Sequence, residues 1–426
     1  MPKTTEFTQE KKNFRHIAAG GVFFQGGAAA IDTSTIVAGL VHGLTGSTFA
    51  VGAAAAIAHY GWLFPQLFVA HVAQGRTYRM PLYRLGAFGR VGCLLGLAAF
   101  LWLGGGLPRG PLITGFFVMW TVYAFVSGIV AAPYNDIVGR TVPSARRSRL
   151  LAVRFFGGGV LELGVAALAH RALAATDGLP FTFGYAAIFL LGAALLAISA
   201  TAFSTAVEPP APPSRTRSSF LAFLADGIDV LREDQRFRRF LAVQWLGGAA
   251  TMAVPFYILQ PGRVEGAQTT DVALLLGVQT VGMLLSNPLW GWWGDRLGKL
   301  SLLLLVAGLR GLAPGLTLIW LAVGVTDRES TLLWFGAVFF LLGAVGNGAI
   351  IAQLGYLMEI SPDDRRPAYS GYFNMLAAPA ALLPMLGAVL VGAFSFSVLF
   401  ACSLAAALLH FLAVRRLGDI IVKVVE

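Results

Sequence analysis

Long apolar stretches, each long enough to cross a lipid bilayer as a helix, recur along the whole chain. A spanning helix needs about 20 predominantly apolar residues. Twelve such stretches lie near residues 17–41, 48–74, 82–105, 111–133, 150–174, 182–205, 239–261, 270–293, 300–325, 331–358, 368–393 and 395–414. They are unbroken runs without the period-two alternation of membrane β-strands. The pattern therefore predicts an all-α polytopic membrane protein with twelve transmembrane helices.

The composition supports a lipid environment. Of the 426 residues, 57% are hydrophobic and only 12% are charged, whereas a soluble domain has about 25% charged residues. The net charge of +10 would suggest nucleic acid in a soluble protein, but here basic residues that flank spans and face anionic lipid explain it. We therefore expect the bilayer, and no nucleic acid, as a partner. Cys93 and Cys402 both lie inside apolar stretches and indicate neither a disulfide framework nor a metal site.

The distribution of Lys and Arg orients the spans. With the N-terminus placed in the cytoplasm, 26 of the 31 Lys and Arg residues fall in cytoplasmic segments, four in outer loops and one, Arg310, inside a span. This excess is the positive-inside signal. It predicts a multi-pass protein of the cell (inner or plasma) membrane with both termini in the cytoplasm, and it favours an even number of spans.

Residues of the same type recur at an offset of about 220 positions, at equivalent places in the two halves of the chain. The clearest pairs are Arg76 with Arg296, Arg79 with Lys299, and Arg90 with Arg310. The Pro-x-x-Arg-Arg segment at 143–147 similarly matches 362–366. The chain is therefore predicted to contain two six-span repeats of the same orientation, related by an axis along the membrane normal, which is a known transporter plan.

The middle of the chain differs from the spans on either side. Residues 206–219 are rich in Pro, Ser and Arg, which predicts a polar cytoplasmic linker. Apolar residues then recur at helical spacing up to Leu231, which indicates a short amphipathic helix at the membrane surface; a simple connector is the alternative. The predicted organisation is an N-terminal six-helix bundle over 1–205, a linker with an amphipathic helix over 206–238, and a C-terminal six-helix bundle over 239–426.

A loop motif follows the eighth span: Gly291-Trp-Trp-Gly-Asp295-Arg296-Leu-Gly298-Lys299. It resembles the G-x-x-x-D-R-x-G-K/R loop motif of the major facilitator superfamily. The six-plus-six layout, the central linker and the Pro-x-x-Arg-Arg loops after spans 4 and 10 also resemble that superfamily. The resemblance covers essentially the whole chain and implies a transporter of the MFS-like fold, but it does not identify a substrate.

In the resembled family this motif is usually best kept after span 2, where the present chain departs from it. The stretch from His71 to Arg79 retains the basic residues Arg76 and Arg79, but Gly75 stands at the Asp position and Tyr78 at the second Gly position. A loop Asp can accept hydrogen bonds from helix N-terminal N–H groups and pair with a cation. Such a contact would close the cytoplasmic side of the protein.

We expect Asp295 to make this gate contact in the second half, with Arg365 or Arg366 as its partner. The alternative is that these charges only shape tight loops. Arg90 and Arg310, at equivalent places in spans 3 and 9, are expected to hold neighbouring helices by bonding carbonyls. The predicted gate and structural residues are Gly291, Asp295, Arg296, Gly298, Lys299, Arg76, Arg79, Arg90, Arg310, Arg146, Arg365 and Arg366.

Two carboxylates lie inside spans, where each ionised group is costly and is usually functional. Asp32 lies in the polar patch Asp32-Thr-Ser-Thr35 of the apolar first span. It is predicted to bind a proton or a substrate cation, with a structural cap near the outer side as the alternative. Glu162 lies near the middle of span 5, eight residues after Arg154 and on nearly the same helix face. It is predicted to be a protonation switch, with a static tie to an Arg or a hydroxyl as the alternative.

Polar and aromatic residues on the spans expected to line a cavity complete the candidate binding site. These residues are Gln25, Tyr123, Gln244, Trp245 and Asn347, in addition to Asp32 and Glu162. Amide and phenol groups in a partly apolar setting suit a small organic solute better than a bare inorganic ion. The histidines show no metal-ligand spacing, so we expect no metal site and no cofactor apart from coupling protons.

The sequence thus predicts a secondary active transporter, a functional monomer that moves a small organic solute by alternating access. Proton-coupled uptake is the leading interpretation. Drug or metabolite efflux by antiport, and lipid or amphiphile flipping, are the alternatives; span 5 has four glycines but lacks the Gly-Pro usual in proton-linked drug antiporters of the superfamily. No clustered nucleophile, metal site or cofactor motif indicates an enzyme. Substrate, direction, coupling ion, conformational state and oligomeric state stay open.

Overall fold

The computed structural model describes residues 2–33, 35–174, 180–210, 219–261 and 269–425. Within these ranges the chain is almost entirely helical and contains no β-strand. The first half comprises helices α1 (Pro2–Ala29), α2 (Ile36–Thr45), α3 (Thr48–Leu63), α4 (Pro65–Gln74), α5 (Met80–Leu103), α6 (Arg109–Gly128), α7 (Ala131–Thr141), α8 (Ser144–Ala174) and α9 (Thr182–Ser204). The rest comprises α10 (Phe220–Glu233), α11 (Gln235–Ala250), α12 (Thr269–Arg296), α13 (Lys299–Arg310), α14 (Leu312–Val323), α15 (Arg328–Ile360), α16 (Arg366–Ala377), α17 (Leu383–Ala393) and α18 (Phe396–Val425).

Each predicted span falls on one helix or on two consecutive helices. Ten helical stretches among the described residues are both long and apolar enough to cross a bilayer. The other two predicted spans lie on α1 with α2 and on the 28-residue helix α12. The all-α membrane fold is therefore confirmed, while length and hydropathy alone support ten of the twelve spans.

Prolines divide several spans into two helices. Proline has no backbone N–H and its ring clashes with the carbonyl four residues earlier. Pro65 begins α4 directly after α3, and Pro133 lies in the first turn of α7, four residues after Ile129. Pro255 and Pro379 lie in the 3-10 turns Val254–Leu259 and Ala378–Leu382 that follow α11 and α16. The spans therefore bend at or beside prolines, whose positions can be read from the sequence.

The first span is interrupted without a proline. Residues 30–33 and 35 are turns or irregular between α1 and α2. Within the break, the Thr35 hydroxyl donates to the carboxylate of Asp32 at 2.9 Å, and the Asp32 carbonyl accepts the N–H of Val37 at 3.0 Å. The expectation that Asp32 lies within a continuous helix is wrong, because Asp and Thr side chains compete with the helix for local hydrogen bonds.

Tryptophan side chains join neighbouring spans in both halves. The indole Nε1 of Trp120 donates to the carbonyl of Ala54 at 2.9 Å. In the second half, Nε1 of Trp290 donates to the carbonyl of Ala344 at 2.8 Å. Since an unpaired indole N–H is costly away from water, these bonds fix the depth at which the helices pack.

A helix, α10, lies at the position where the sequence predicts the amphipathic helix of the linker. Phe223 and Val230 are buried, whereas Leu221 and Ile228, on other faces of the helix, are exposed. Residues 211–218 of the predicted linker lie outside the described residues.

The chain divides into two compact units, and each of them includes one helix start from the other half of the sequence. Unit 1 contains residues 1–143, 153–220 and 361–372, and unit 2 contains 144–152, 221–360 and 373–426. The first turns of α8 therefore group with the second half of the sequence, and the first turns of α16 group with the first half. Both exchanged segments begin with the Pro-x-x-Arg-Arg loops that the sequence singles out.

Candidate functional site

A row of polar side chains crosses the membrane interior of unit 1. Glu162 of α8 accepts a long hydrogen bond of 3.5 Å from the amide nitrogen of Gln25 of α1. The amide oxygen of Gln25 accepts from the guanidinium of Arg154 at 3.3 Å, and Arg154 also donates to the Tyr134 hydroxyl at 3.1 Å. Two predicted site residues, Gln25 and Glu162, are thus brought together. Gln25 separates the carboxylate from the cation, so the two are not a direct ion pair.

Glycines of α8 allow this row to form. A side chain at Gly158 would overlap that of Gln25, and one at Gly157 would press against Val22 of α1. Because both positions lack a Cβ, α1 and α8 approach closely enough for Gln25 to reach Arg154 and Glu162 on the next turns. The glycine-rich part of span 5 therefore has a packing role at the site.

Two guanidinium groups flank one aromatic ring beside the row. The Cζ atom of Arg90 lies 4.8 Å from the centroid of the Phe24 ring, and that of Arg154 lies 5.0 Å from it. Cations at such distances are attracted by the ring quadrupole. Arg90 thus contacts an aromatic ring of α1, and its predicted role of bonding carbonyls stays a prediction.

The other predicted carboxylate, Asp32, lies in the break between α1 and α2 and is partly exposed. Its recorded bond to Thr35 agrees with both interpretations, a local cap and a titratable site. Tyr123 lies elsewhere in the same unit, stacked on Trp120 with ring centroids 5.2 Å apart, and is part of an apolar core cluster. The proposed binding role of both residues stays a prediction.

The predicted binding residues of the second half bond to different partners and not to one another among the described residues. The buried amide of Asn347 donates to the buried Asn287 side chain at 3.3 Å, between α15 and α12. Trp245 is exposed and its indole N–H donates to the Leu376 carbonyl at 3.0 Å. Gln244 precedes it on α11 and is partly exposed.

The loop motif of unit 2 makes the helix-capping contact expected of it. The two carboxylate oxygens of Asp295 accept the backbone N–H groups of Ser148 and Arg149, each at 2.9 Å, in the first turns of α8. Ser148 and Arg149 are the fifth and sixth residues of α8, just past the four N–H groups that lack a partner within a helix, and the positive end of the helix dipole attracts the carboxylate. Asp295 therefore holds the beginning of α8 against the end of α12.

The buried side chain of Lys299 completes this contact. It is 2% exposed, and its Nζ donates to the carbonyls of Ser144 and Gly294 at 2.6 and 2.8 Å and to Asp295 at 2.9 Å. All three ammonium hydrogens thus have an acceptor. The expected pairing of Asp295 with Arg365 or Arg366 is wrong among the described residues, because Lys299 occupies the cation position beside the carboxylate.

The glycines of the motif are explained by geometry. Gly298 has φ +90°, a backbone conformation that side chains with a Cβ rarely adopt. A Cβ at Gly291 would lie 2.7 Å from that of Ala152, so α12 and the start of α8 pack too closely there for a larger residue. Arg296, between these positions, is exposed.

A second cluster of charged side chains, in unit 1, centres on Asp136 of α7, a residue that was not predicted from the sequence. Its fully buried carboxylate lies 2.6 Å from Arg140, 3.3 Å from Arg79 and 3.9 Å from Arg366. Arg366 belongs to the start of α16 and also pairs with Asp363. An acidic residue at the end of span 4, four positions before Arg140, was the signal that could have found it.

Glu208 adds a second carboxylate to this cluster. Its two oxygens accept the N–H groups of Arg79 and Met80 at 2.7 and 2.8 Å at the start of α5, and it pairs with Arg140 at 2.5 Å. Glu208 lies in the predicted linker, so its role was not visible from the spans. The cluster therefore caps α5 and holds the start of α16, in the half whose loop motif has Gly75 in place of Asp.

The remaining predicted gate residues lie near these clusters. The Arg76 carbonyl accepts from the Arg79 side chain, Arg146 lies in the first turn of α8, and Arg365 lies 5.9 Å from the Tyr369 ring. Arg310 lies instead at the end of α13 and lines a cavity. Among the described residues, no group of three or more His, Cys, Asp or Glu side chains converges as a metal site would require.

Comparison with known proteins agrees with this architecture. The family model described as Major Facilitator Superfamily matches residues 265–419. A bacterial homologue of the iron transporter ferroportin, in an outward-facing state, superposes with a TM-score of 0.73 at 16% identity, covering 96% of this chain and 99% of that chain. The Escherichia coli fucose:proton symporter FucP superposes with a TM-score of 0.70 at 13% identity, covering 95% and 98%. The proton:xylose symporter XylE gives a TM-score of 0.67 at 16% identity and 95% coverage of both chains.

The relatives found by sequence have low identity to this chain and are uncharacterized. Uncharacterized proteins of Mycobacterium tuberculosis and Mycobacterium bovis are 24% identical over 270 residues, which is 63% of this chain and 50% of those proteins. The chain thus spans about half the length of the curated relatives that it matches.

The fold and the family match define the class: the chain is a multi-pass α-helical membrane protein with the fold of major facilitator superfamily transporters. The resemblance that the loop motif and the two repeats indicated is confirmed.

Proposed function

We propose that the chain is a secondary transporter that moves a small organic solute across the cell membrane by alternating access, with proton-coupled uptake as its mode. The observation that carries this proposal is the polar row of Glu162, Gln25, Arg154 and Tyr134 inside the membrane. A titratable carboxylate linked through one neutral amide to a cation is costly in such a place, and it gives a proton a means of acting on its neighbours.

The row can transmit a protonation event. While Glu162 is ionised, the NH₂ of Gln25 points to it and the amide oxygen points to Arg154. A protonated Glu162 becomes a hydrogen-bond donor through its new O–H. An amide that turned its oxygen toward that donor would present its NH₂ to Arg154, which has no acceptor group. Protonation therefore favours release of Arg154 from Gln25, and Arg154 becomes available to another acceptor.

The two cytoplasmic clusters supply the gate in this proposal. Asp295 with Lys299 holds the start of α8, and Asp136 with Arg366 holds the start of α16. Both helix starts would have to separate from these partners when the cytoplasmic side opens. Each cluster is largely buried, so its ionic contacts are either formed or broken. The protein therefore has two discrete states, closed and open on the cytoplasmic side, rather than a continuous range.

The comparisons support the same class of activity. Two solved structures with this fold are those of a fucose:proton symporter and a proton:xylose symporter. We extend to this chain the coupling to protons and the organic nature of the solute. We further propose the inner or plasma membrane as its location, cytoplasmic termini, and action as a monomer in the bilayer.

Flux measurements on the full chain in liposomes test the proposal. An imposed inward proton gradient is expected to drive uptake of at least one solute from a panel of radiolabelled sugars, organic acids and amino acids. Glu162→Gln should abolish the response to the gradient while solute exchange at equal pH persists. Asp364→Asn, an exposed acidic residue, is the matched control and should behave as the native chain. Lipid scrambling without flux of any panel solute would contradict the proposal and favour a flippase.

A further inference from the structure

A cavity of about 210 Å³ lies inside unit 2, among helices α11, α12, α13 to α14 and α15. Its walls are mostly apolar, and its polar residues are Thr251, Tyr257, Gln279 and Arg310. Since water occupies about 30 Å³ in the liquid, the space suits a molecule of several to about ten heavy atoms. Arg310 is the one charged residue among those lining this cavity.

Arg310 has no carboxylate partner among the described residues. Two acidic groups of the same unit are engaged elsewhere: Asp271 with Arg328, at an Nε to Oδ2 distance of 3.0 Å, and Asp295 with Lys299 at 2.9 Å. His410, which packs against Gly247 together with the Arg310 guanidinium, brings no negative charge. An uncompensated cation away from water costs several kcal/mol, so its presence beside a cavity calls for a partner.

The backbone around Arg310 compensates its charge only in part. Arg310 is in the last turn of α13, directly before the bend at Gly311. The C-terminal end of α13 carries a partial negative charge, but α14 begins at Leu312 and the positive end of its dipole offsets part of it. This leaves part of the positive charge of the guanidinium to be balanced by something that enters the cavity.

The cavity offers neutral polar groups beside the cation. The side chain of Gln279 makes no hydrogen bond within the described part of the chain, so its NH₂ group can donate to a ligand. The Thr251 hydroxyl donates to the Gly248 carbonyl at 3.0 Å, which leaves its oxygen free to accept. One cation with neutral neighbours matches a single negative charge, whereas a doubly charged phosphate would need a second cation.

We propose that this cavity is a binding subsite for the carboxylate group of a small organic monoanion, with Arg310 as its counter-ion and Gln279 as a second donor. The inference rests on the proposed transport function and names its substrate class, a monocarboxylate. It also gives Arg310 a role that its counterpart Arg90, which lies over an aromatic ring, does not have.

Binding to the purified full chain in detergent tests the subsite without requiring transport. The probes are benzoate and lactate, with the uncharged benzamide and lactamide as matched controls. The carboxylates are expected to raise the melting temperature in a concentration-dependent way, and the amides should leave it unchanged. Calorimetric titration gives the affinities.

Substitutions locate the site. Arg310→Gln should weaken carboxylate binding by about 10- to 100-fold, and Arg310→Lys should weaken it less because the charge remains. Arg90→Gln removes the equivalent arginine of the other half and should leave carboxylate binding unchanged. Equal benzoate affinity in the native chain and in Arg310→Gln would overturn the inference, as would failure of both carboxylates to bind the native chain.

A second pair of variants covers the case in which Arg310→Gln does not fold. Gly346 lines the cavity, and a Cβ there meets nothing within 4 Å. Gly346→Leu should therefore fill the cavity and weaken binding while Arg310 stays in place. Gly336→Leu, also in open space on α15 but outside the cavity, should bind benzoate normally.

The two proposals fail separately. Carboxylate binding that depends on Arg310, without flux of any solute in liposomes, would support the subsite and contradict the transport proposal. Proton-driven flux of neutral sugars, with no carboxylate binding, would support transport and overturn the subsite.

Discussion

The guanidinium of Arg366 lies 3.9 Å from the buried carboxylate of Asp136. The two residues are 230 positions apart, and they connect the start of α16 to the middle of α7. In unit 2 the corresponding attachment, of α8 to α12, is made by backbone N–H groups bonded to Asp295. The two halves therefore fasten an incoming helix start by different chemistry, a side-chain ion pair in one and a helix cap in the other.

Replacement of Asp136 by Asn should destabilise the protein strongly. Three guanidinium groups lie within 4 Å of this carboxylate, those of Arg79, Arg140 and Arg366. Asn would remove the negative charge that offsets their mutual repulsion. Removal of one partner of a buried ion pair costs about 3–5 kcal/mol. Thermal and denaturant unfolding of the purified protein measure the effect. Asp363→Asn is the control: Asp363 pairs with the same Arg366 but its side chain is 75% exposed, so we expect a loss of about 1 kcal/mol or less.

Replacement of Asp295 by Ala should loosen the start of α8. The N–H groups of Ser148 and Arg149 would lose their bonds to the carboxylate, and a hydrogen bond to a charged group contributes about 1.5–3 kcal/mol. Hydrogen exchange measured by mass spectrometry should become roughly tenfold faster in the peptide covering 144–152. The exposed Asp364→Ala variant should show native exchange in that peptide. Unchanged exchange in Asp295→Ala would mean that the carboxylate does not hold the helix start.

Replacement of Gln25 by Leu should uncouple Glu162 from Arg154. The amide is the recorded link between them, and a leucine of similar size provides neither donor nor acceptor. Proton-driven uptake in liposomes should fall about tenfold or more, while solute exchange without a gradient falls less. Gln9→Leu, on the same helix but bonded only to Asn13 among recorded partners, is the control. Equal loss in both variants would indicate damage to α1 rather than to the row.

Replacement of Gly343 by Val should prevent correct packing of α15 on α12. A Cβ at Gly343 would overlap the backbone carbonyl of Gln279, and one at Gly282 would overlap that of Phe340. The backbone cannot move aside as a flexible side chain can. We therefore expect overpacking to destabilise the protein by about 3 kcal/mol or more and the yield of monodisperse protein to fall sharply. Gly336→Val, on the same helix with open space around it, should purify normally. Comparable yields of the two variants would contradict the close approach.

The sequence predicted the fold because its signals act locally. Twenty-residue apolar runs, proline positions and the Lys and Arg distribution depend on the bilayer rather than on tertiary contacts. The glycines of the loop motif were equally readable, since Gly298 needs a positive φ. The break at Asp32 was missed because hydropathy averages over a window and does not register a few residues that bond to one another.

The site was only partly readable because its contacts join distant residues. The eight-residue spacing of Arg154 and Glu162 placed them on one helix face, but only the packing of α1 shows that Gln25 lies between them. Asp295 was expected to bond N–H groups near a helix start, and it accepts those of Ser148 and Arg149. Its cation, Lys299, lies at the next helix start rather than in the Pro-x-x-Arg-Arg loop. Asp136 and Glu208 lie at the ends of apolar runs, where charges are common and only burial distinguishes a structural carboxylate from a solvated one.

The exchange of helix starts between the compact units has a consequence for dividing the chain. A cut in the linker would give two fragments, and neither would contain all the residues of its own unit: one lacks 361–372 and the other lacks 144–152. Each fragment made alone would have a helix beginning whose anchoring acid is on the other fragment, so each should be degraded or aggregate. Produced together, the two fragments should reassemble, since the missing pieces are reciprocal. The two predicted repeats are thus expected to depend on each other for folding.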